Sequence, residues 1–313
     1  MQGVLAGFAT IGIVIGLGFL LASLKILTGS AQGVLTRASF YVASPALMVT
    51  VLGGTDVHRL LSANLIASLG SVVVAATIAV LLTRLVWRRA AGETVIAAFC
   101  SAYVNAGNLG LPIAAYALGD AALIAPMLLA QLLVLQPSGL AVLDGLTHPP
   151  SPDTSRLRLL GIRLSRPFRN PLAVGSLVGL VLALTGTKLP LVISAPLSLV
   201  GGMAVPSMLL AYGISLRLGP GLGAGEPLGQ VGALVTLKLV VQPITAYLIG
   251  AYGMGLVDRD LLAVTVIAAL PTAQNVFTFA MRYDRAVILA RDAIFLATLL
   301  SVPVILVITW LLT

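Results

Sequence analysis

The sequence predicts an all-α polytopic membrane protein: ten transmembrane helices in two inverted five-helix repeats, with the fourth and ninth helices broken and crossing. Three observations predict it. Of 313 residues, 59% are hydrophobic and 9% charged, with a mean hydropathy of +1.08, whereas about a quarter of a soluble domain is charged. Ten stretches each approach the ~20 apolar residues that cross a bilayer: roughly 3 to 23, 34 to 53, 61 to 83, 94 to 117, 122 to 143, 170 to 187, 190 to 215, 229 to 251, 260 to 281 and 286 to 312. Two of them, in matching positions of the two halves, carry runs that a regular helix does not tolerate.

The first stretch has no basic region before its apolar run and is too long for a signal sequence, so it reads as the first span. Lys and Arg then fix the orientation. Alternate loops collect Lys25; Arg84, Arg88 and Arg89; Arg156, Arg158, Arg163, Arg166 and Arg169; Arg217; and Arg282 and Arg285, while the other side holds Arg59, Lys188 and Arg259 among aspartates. Positive-inside places both termini outside a bacterial inner membrane. The net charge of +8 therefore belongs to topology, and no nucleic-acid partner is expected. Between the fifth and sixth spans, the Pro/Ser-rich, arginine-bearing run after Asp144 reads as a cytoplasmic linker. It divides the chain into a first repeat over 1–143, a linker over 144–169 and a second repeat over 170–313.

The halves echo each other. Gly12 and Gly16 in the first span form a GxxxG pair, as do Gly175 and Gly179 in the sixth; Pro45-Ala-Leu-Met in the second recurs as Pro206-Ser-Met-Leu in the seventh; Asp120 after the fourth recurs as Asp284 after the ninth. All three matches fall at nearly one offset. Each half holds an odd number of spans, so the second enters the bilayer in the opposite sense. The GxxxG pairs suit helix packing within one chain, or a homodimer.

The breaks carry the chemistry. In the first, YVNAGNLGLPIAAYALGD from Tyr103 to Asp120, Gly107 and Gly110 loosen the backbone, and Pro112 removes an amide donor and pushes Leu111 out of helical geometry. The second is LPTAQNVFTFAMRYD, from Leu270 to Asp284, with Pro271. Non-helical backbone persists at membrane depth only where protein or a wet cavity satisfies its polar groups, so the pair predicts a shared polar site near the midplane of a transporter. Half-helices starting near Pro112 and Pro271 would aim positive dipole ends at it, which suits an anion. Asn105 and Asn108, with Thr272, Gln274 and Asn275, can donate hydrogen bonds to a carboxylate without carrying charge. Asn105 and Asn275 are the foremost candidates. The alternative is that these amides only cap the broken backbone.

Charges inside spans are few and costly. Lys238, deep in the eighth span, has three readings: it holds a buried carboxylate, holds the substrate's charge, or bonds freed carbonyls at a helix break. In the last span Arg291 can snorkel to the interface. Asp292 either takes part in proton coupling or forms a static ion pair with Lys238 or an arginine. Arg37 reads as an interfacial anchor.

Metal and cofactor chemistry find no support in the pattern. Cys100 stands alone, and His58 and His148 are isolated. Gly221-Leu-Gly-Ala-Gly lacks the Lys-Ser/Thr ending of a phosphate loop. An intramembrane hydrolase would need a second acidic residue or a nucleophile and base that the spans do not supply, so no enzyme is expected.

The NAGNLGLPIAAYALGD stretch, the ALPTAQNVFTFAMRYD stretch with the long apolar helix after it, and the ten-span layout with a central cytoplasmic loop together resemble the auxin efflux carrier family. That family includes plant auxin carriers and bacterial malate or malonate permeases. The resemblance covers essentially the whole chain. It implies a fold similar to the bile acid sodium symporters: a scaffold from spans 1, 2, 6 and 7, and a transport domain from spans 3–5 and 8–10 whose broken helices cross at the site. Asn105 before Pro112, and Pro271, match the family's crossing residues. Plant carriers have another proline soon after the second crossing proline, whereas this chain reads Gln274-Asn275-Val276, a departure that bears on auxin as substrate. The function expected is secondary transport of a small organic anion, auxin-like or malate- or malonate-like, across the bilayer by an elevator-type motion. Sodium-coupled symport, a channel and a ligand-sensing subunit are the alternatives.

Overall fold

The computed structural model describes residues 2–54, 63–110, 113–114, 118, 121–147 and 171–312. Pro112, Asp120 and residues 148–170, which hold most of the expected linker, lie outside them. Among the described residues, the apolar stretches form eleven helices: α1 Gln2–Ser23, α2 Gly29–Gly53, α3 Ala63–Val86, α4 Ala91–Ala102, α5 Pro126–Thr147, α6 Pro171–Thr185, α7 Leu191–Leu218, α8 Leu228–Gly253, α9 Asp258–Ala269, α10 Asn275–Tyr283 and α11 Val287–Leu312. Among the described residues no strand forms, and a single antiparallel bridge joins Val104 to Thr272. Six helices, α2, α3, α5, α7, α8 and α11, are long and apolar enough to cross a membrane, while α4 and α6 are apolar but shorter. The fourth and ninth expected spans are therefore not continuous helices.

Prolines shape the long helices from within. The π-helical turns Ser39–Ala43, Gln131–Leu135 and Leu237–Val241 each stop two residues before a proline, Pro45, Pro137 and Pro243. A proline lacks the N–H for the preceding turn and its ring crowds the carbonyl four residues back, and a widened turn accommodates both defects. Polar residues on or beside these turns, Gln131, Gln136, Lys238 and Gln242, are all buried.

Packing divides the helices into two sets. Helices α1, α2, α6 and α7 pack on one another; α3, α4, α8, α9 and α11 form the other set, with α5 against α4 and α10 against α11. The first set is drawn together by small residues. A Cβ on Gly213 of α7 would lie 2.1 Å from the Ile15 carbonyl oxygen of α1, and one on Gly175 of α6 would lie 2.6 Å from that of Pro45 in α2. In lipid, where apolar burial gives no preference for helix over tail, such backbone approach is what holds helices together. Gly175 and Gly179 thus pack within the chain. Gly12 and Gly16 do not: nothing lies within 4 Å of a Cβ built on either, because α1 meets α7 through the face that carries Gly18.

Candidate functional site

The two breaks meet. Helix α4 ends at Ala102 and the chain runs extended through Tyr103 before a π-helical turn over Ala106–Gly110. Helix α9 ends at Ala269, and Leu270, placed before Pro271, takes ψ 144°, the extended geometry a following proline imposes. The loose segments then satisfy each other: Asn105 N–H donates to the Pro271 carbonyl at 2.8 Å and Ala273 N–H to that of Tyr103 at 3.1 Å. Each break supplies the acceptors the other lacks, which is how irregular backbone survives in a bilayer.

Side chains complete the joint. Asn105 Nδ2 donates to Gln274 Oε1 at 2.7 Å, linking the breaks a third time. Gln131 Nε2 donates to the Val104 carbonyl at 2.8 Å, and the Thr272 hydroxyl donates to the Cys100 carbonyl in the last turn of α4. Lys238, with no exposed surface, donates to the Ala268 carbonyl at 2.7 Å and to Gln242 Oε1 at 2.6 Å, while Gln242 Nε2 donates to the Ala102 carbonyl at 3.1 Å. The ammonium thus sits where the negative ends of α4 and α9 converge. Its hydrogen bonds go to a carbonyl at a break and to an amide oxygen, and among the described residues none goes to a carboxylate.

Beside the joint is a cavity of about 270 Å³, walled by the breaks, by α2 and α7 of one packing set and by α5 and α10. Asn105 and Asn275 line it, with Tyr103, Gln131 and Gln136. Among the described residues none that lines it is charged. Tyr103 Oη donates to Gln136 Oε1 at 3.1 Å, which leaves Gln136 Nε2 buried without a partner, as is Asn275 Oδ1. Unpaired buried amides are costly in an apolar setting, and a ligand that bonds them removes the cost.

The candidates therefore separate. Asn105, Pro271, Thr272 and Gln274 form the joint itself, and of these only Asn105 also faces the cavity; Asn275 faces the cavity from the first turn of α10. Asn108 belongs to the π-helical turn after the first break, and its side chain lies outside the description. Asp292 lies elsewhere. Arg291 Nε donates to Asp292 Oδ1 at 2.7 Å, and Asp292 Oδ2 accepts from Gly223 N–H at 3.1 Å. This corrects the expectation that Arg291 snorkels: it is 2% exposed, held inward by its own neighbour. Sequence reasoning passed over Gln131, Gln136, Gln242 and Tyr103. The signal for two of them was the Gln-Pro dipeptide inside an apolar span, at Gln136-Pro137 and Gln242-Pro243, since an amide costs free energy there unless it has a partner.

Comparison with known proteins places the chain among membrane transport proteins. A family model described as membrane transport protein matches residues 4–309. The chain is 28% identical over 292 residues to a protein of Rhizobium meliloti (strain 1021) described as "Putative malonate transporter", covering 91% of this chain and 88% of the relative. The chain belongs to this membrane transport family, the auxin efflux carrier family of the sequence reading, and is a multi-pass membrane transporter.

Proposed function

We propose that this chain is a secondary carrier for a small organic anion of the malonate or malate class, bound at the cavity beside the crossed breaks. One observation carries the reading: an uncharged cavity of about 270 Å³, lined by elements of both packing sets, that holds amide groups without partners. Its size, just under the ~300 Å³ at which sites for drug-sized ligands begin, suits a few-carbon acid. Helix α10 begins at Asn275, so its positive end faces the cavity. Amide dipoles can hold one carboxylate, but a second negative charge there would lack a countercharge. The species carried is accordingly singly charged, a monocarboxylate or a half-protonated dicarboxylate.

We further propose ten spans in two inverted repeats, 1–143 and 170–313, joined by a cytoplasmic linker in a bacterial inner membrane with both termini outside. Reciprocal packing supports this: α1 rests on α7 and α6 on α2, the two contacts a two-fold relation between repeats would interchange. On this reading α1, α2, α6 and α7 are the scaffold, and the set containing both breaks moves past it as an elevator. Lys238 and Gln242 already hold carbonyls at the ends of α4 and α9, which favours proton or membrane-potential drive over a sodium ion at those oxygens. The test is uptake of labelled malonate, malate and indole acetate into liposomes holding the purified protein, with and without a pH gradient. Malonate or malate should accumulate and Asn105→Ala should abolish it; if no carboxylate in a wider panel exchanges, the reading fails.

A further inference from the structure

Next to the crossing cavity is a cleft of about 260 Å³ between α2 and α10, to which α2 contributes Thr36, Arg37, Phe40 and Tyr41, and α10 Arg282. Phe40 is a wall of both the cleft and the crossing cavity. We infer that this cleft is a second subsite, for one oxyanion group, carboxylate or phosphate, held between Arg37 and Arg282. The inference rests on the carrier reading only for its place in transport.

Three observations carry it. Arg282 lies over the rings of Phe40, Tyr41 and Tyr283, 5.2 to 5.8 Å from their centroids. Stacking uses the face of the guanidinium and leaves its N–H edge needing acceptors, yet Arg282 Nε is buried without one. Thr36, 4% exposed, likewise has a hydroxyl without a partner in the same cleft. Finally, among the described residues neither arginine has a carboxylate within ion-pair distance. The nearby Asp144 accepts a hydrogen bond from the Tyr283 hydroxyl at 2.8 Å. Two guanidinium groups and a hydroxyl around one small cleft, two of the three with unpaired buried donors, are a built receptor for an oxyanion.

The cleft also has a place on a path. Helix α10 starts at Asn275 in the crossing cavity and carries Arg282 two turns on, so the two anion sites lie about 10 Å apart along one helix at 1.5 Å per residue. Arg37 stands on the scaffold set and Arg282 on the other. An anion arriving at this mouth meets fixed positive charge before it reaches the uncharged cavity, which raises its local concentration there.

The test uses the full chain in detergent with inorganic phosphate as probe at constant ionic strength. Phosphate should raise the thermal midpoint of wild type and of Asn105→Ala, and the rise should be lost in Arg282→Gln and in Arg37→Gln, with Arg282→Lys and Thr36→Val as milder variants should either fail to fold. Malonate uptake by Arg282→Gln should show a KM about tenfold higher, the scale of one charge-assisted hydrogen bond. Repeating the phosphate titration in phosphatidylglycerol and in phosphatidylcholine nanodiscs separates the sources: loss of the shift only with phosphatidylglycerol assigns the site to a lipid headgroup, and equal shifts assign it to a free anion. An equal phosphate shift in wild type and the arginine variants overturns the subsite, even if Asn105→Ala shows the carrier reading to be sound. A phosphate shift lost in the arginine variants, in a protein that carries no carboxylate, would leave the subsite standing and remove the carrier reading.

Discussion

The crossing and the α1–α7 seam solve opposite problems in the same bilayer. At the seam, Gly18 and Gly213 let two helices approach until an added Cβ would overlap a facing carbonyl, and both glycines lie within regular helix. At the crossing the helices are open, and pairing is made between chain segments 168 residues apart in the case of Val104 and Thr272, with Lys238, Gln131 and Gln242 supplying what the backbone cannot. The difference is in what is left over. Among the described residues, no buried side-chain polar atom of α1 or α7 is left without a partner. The crossing leaves amides facing a cavity, and unspent hydrogen-bonding capacity next to a void is what allows a region to bind something.

Substitutions should separate a region built to hold from a region built to bind. The largest effect is expected away from both, at the buried Arg291–Asp292 pair, where Asp292→Asn strands a guanidinium and should cost about 3 to 5 kcal/mol of stability, read as a fall in thermal midpoint. If malonate uptake per folded molecule persists in that variant, the pair is static rather than a proton relay. Lys238→Met leaves the Ala268 carbonyl and Gln242 Oε1 unpaired, at about 2 to 3 kcal/mol; it should loosen the crossing, seen as faster hydrogen exchange at Leu270–Ala273 than in α1. Gly213→Ala forces α1 away from α7 at about 1 to 3 kcal/mol and should lower the midpoint without changing the KM for malonate. Asn275→Ala comes last in stability, within about 1 kcal/mol because its Oδ1 has no partner to lose, yet it should raise that KM about tenfold. Equal loss of stability and affinity in the last two would erase the distinction between seam and crossing.

Much of this division was legible beforehand. Pro271 announced the second break because proline chemistry is local: the missing donor and the restricted residue before it act wherever the chain goes. Asn105 and Asn275 stood out because amides inside apolar runs are expensive. Gln131 and Gln136 were passed over, since a polar residue in an otherwise regular span can find a partner by many routes and only the fold says which. Gly12 and Gly16, which do not pack within the chain, show the same limit. A GxxxG pair records that one face of a helix is smooth and says nothing of what lies opposite, and in α1 the packed face belongs to Gly18.

Composition and proline placement thus determined by themselves that the chain lives in lipid, where its helices open, and that the openings need polar partners, because those are costs each segment carries wherever it is placed. Only the tertiary structure decided the partners: that the Pro271 carbonyl takes the Asn105 amide, that Lys238 and Gln242 together close the ends of α9 and α4, and that Arg282 lines a cleft it shares with Arg37. A hydrogen bond is settled within a few ångströms, and residues more than a hundred positions apart in a chain reach that distance through packing that no local pattern encodes.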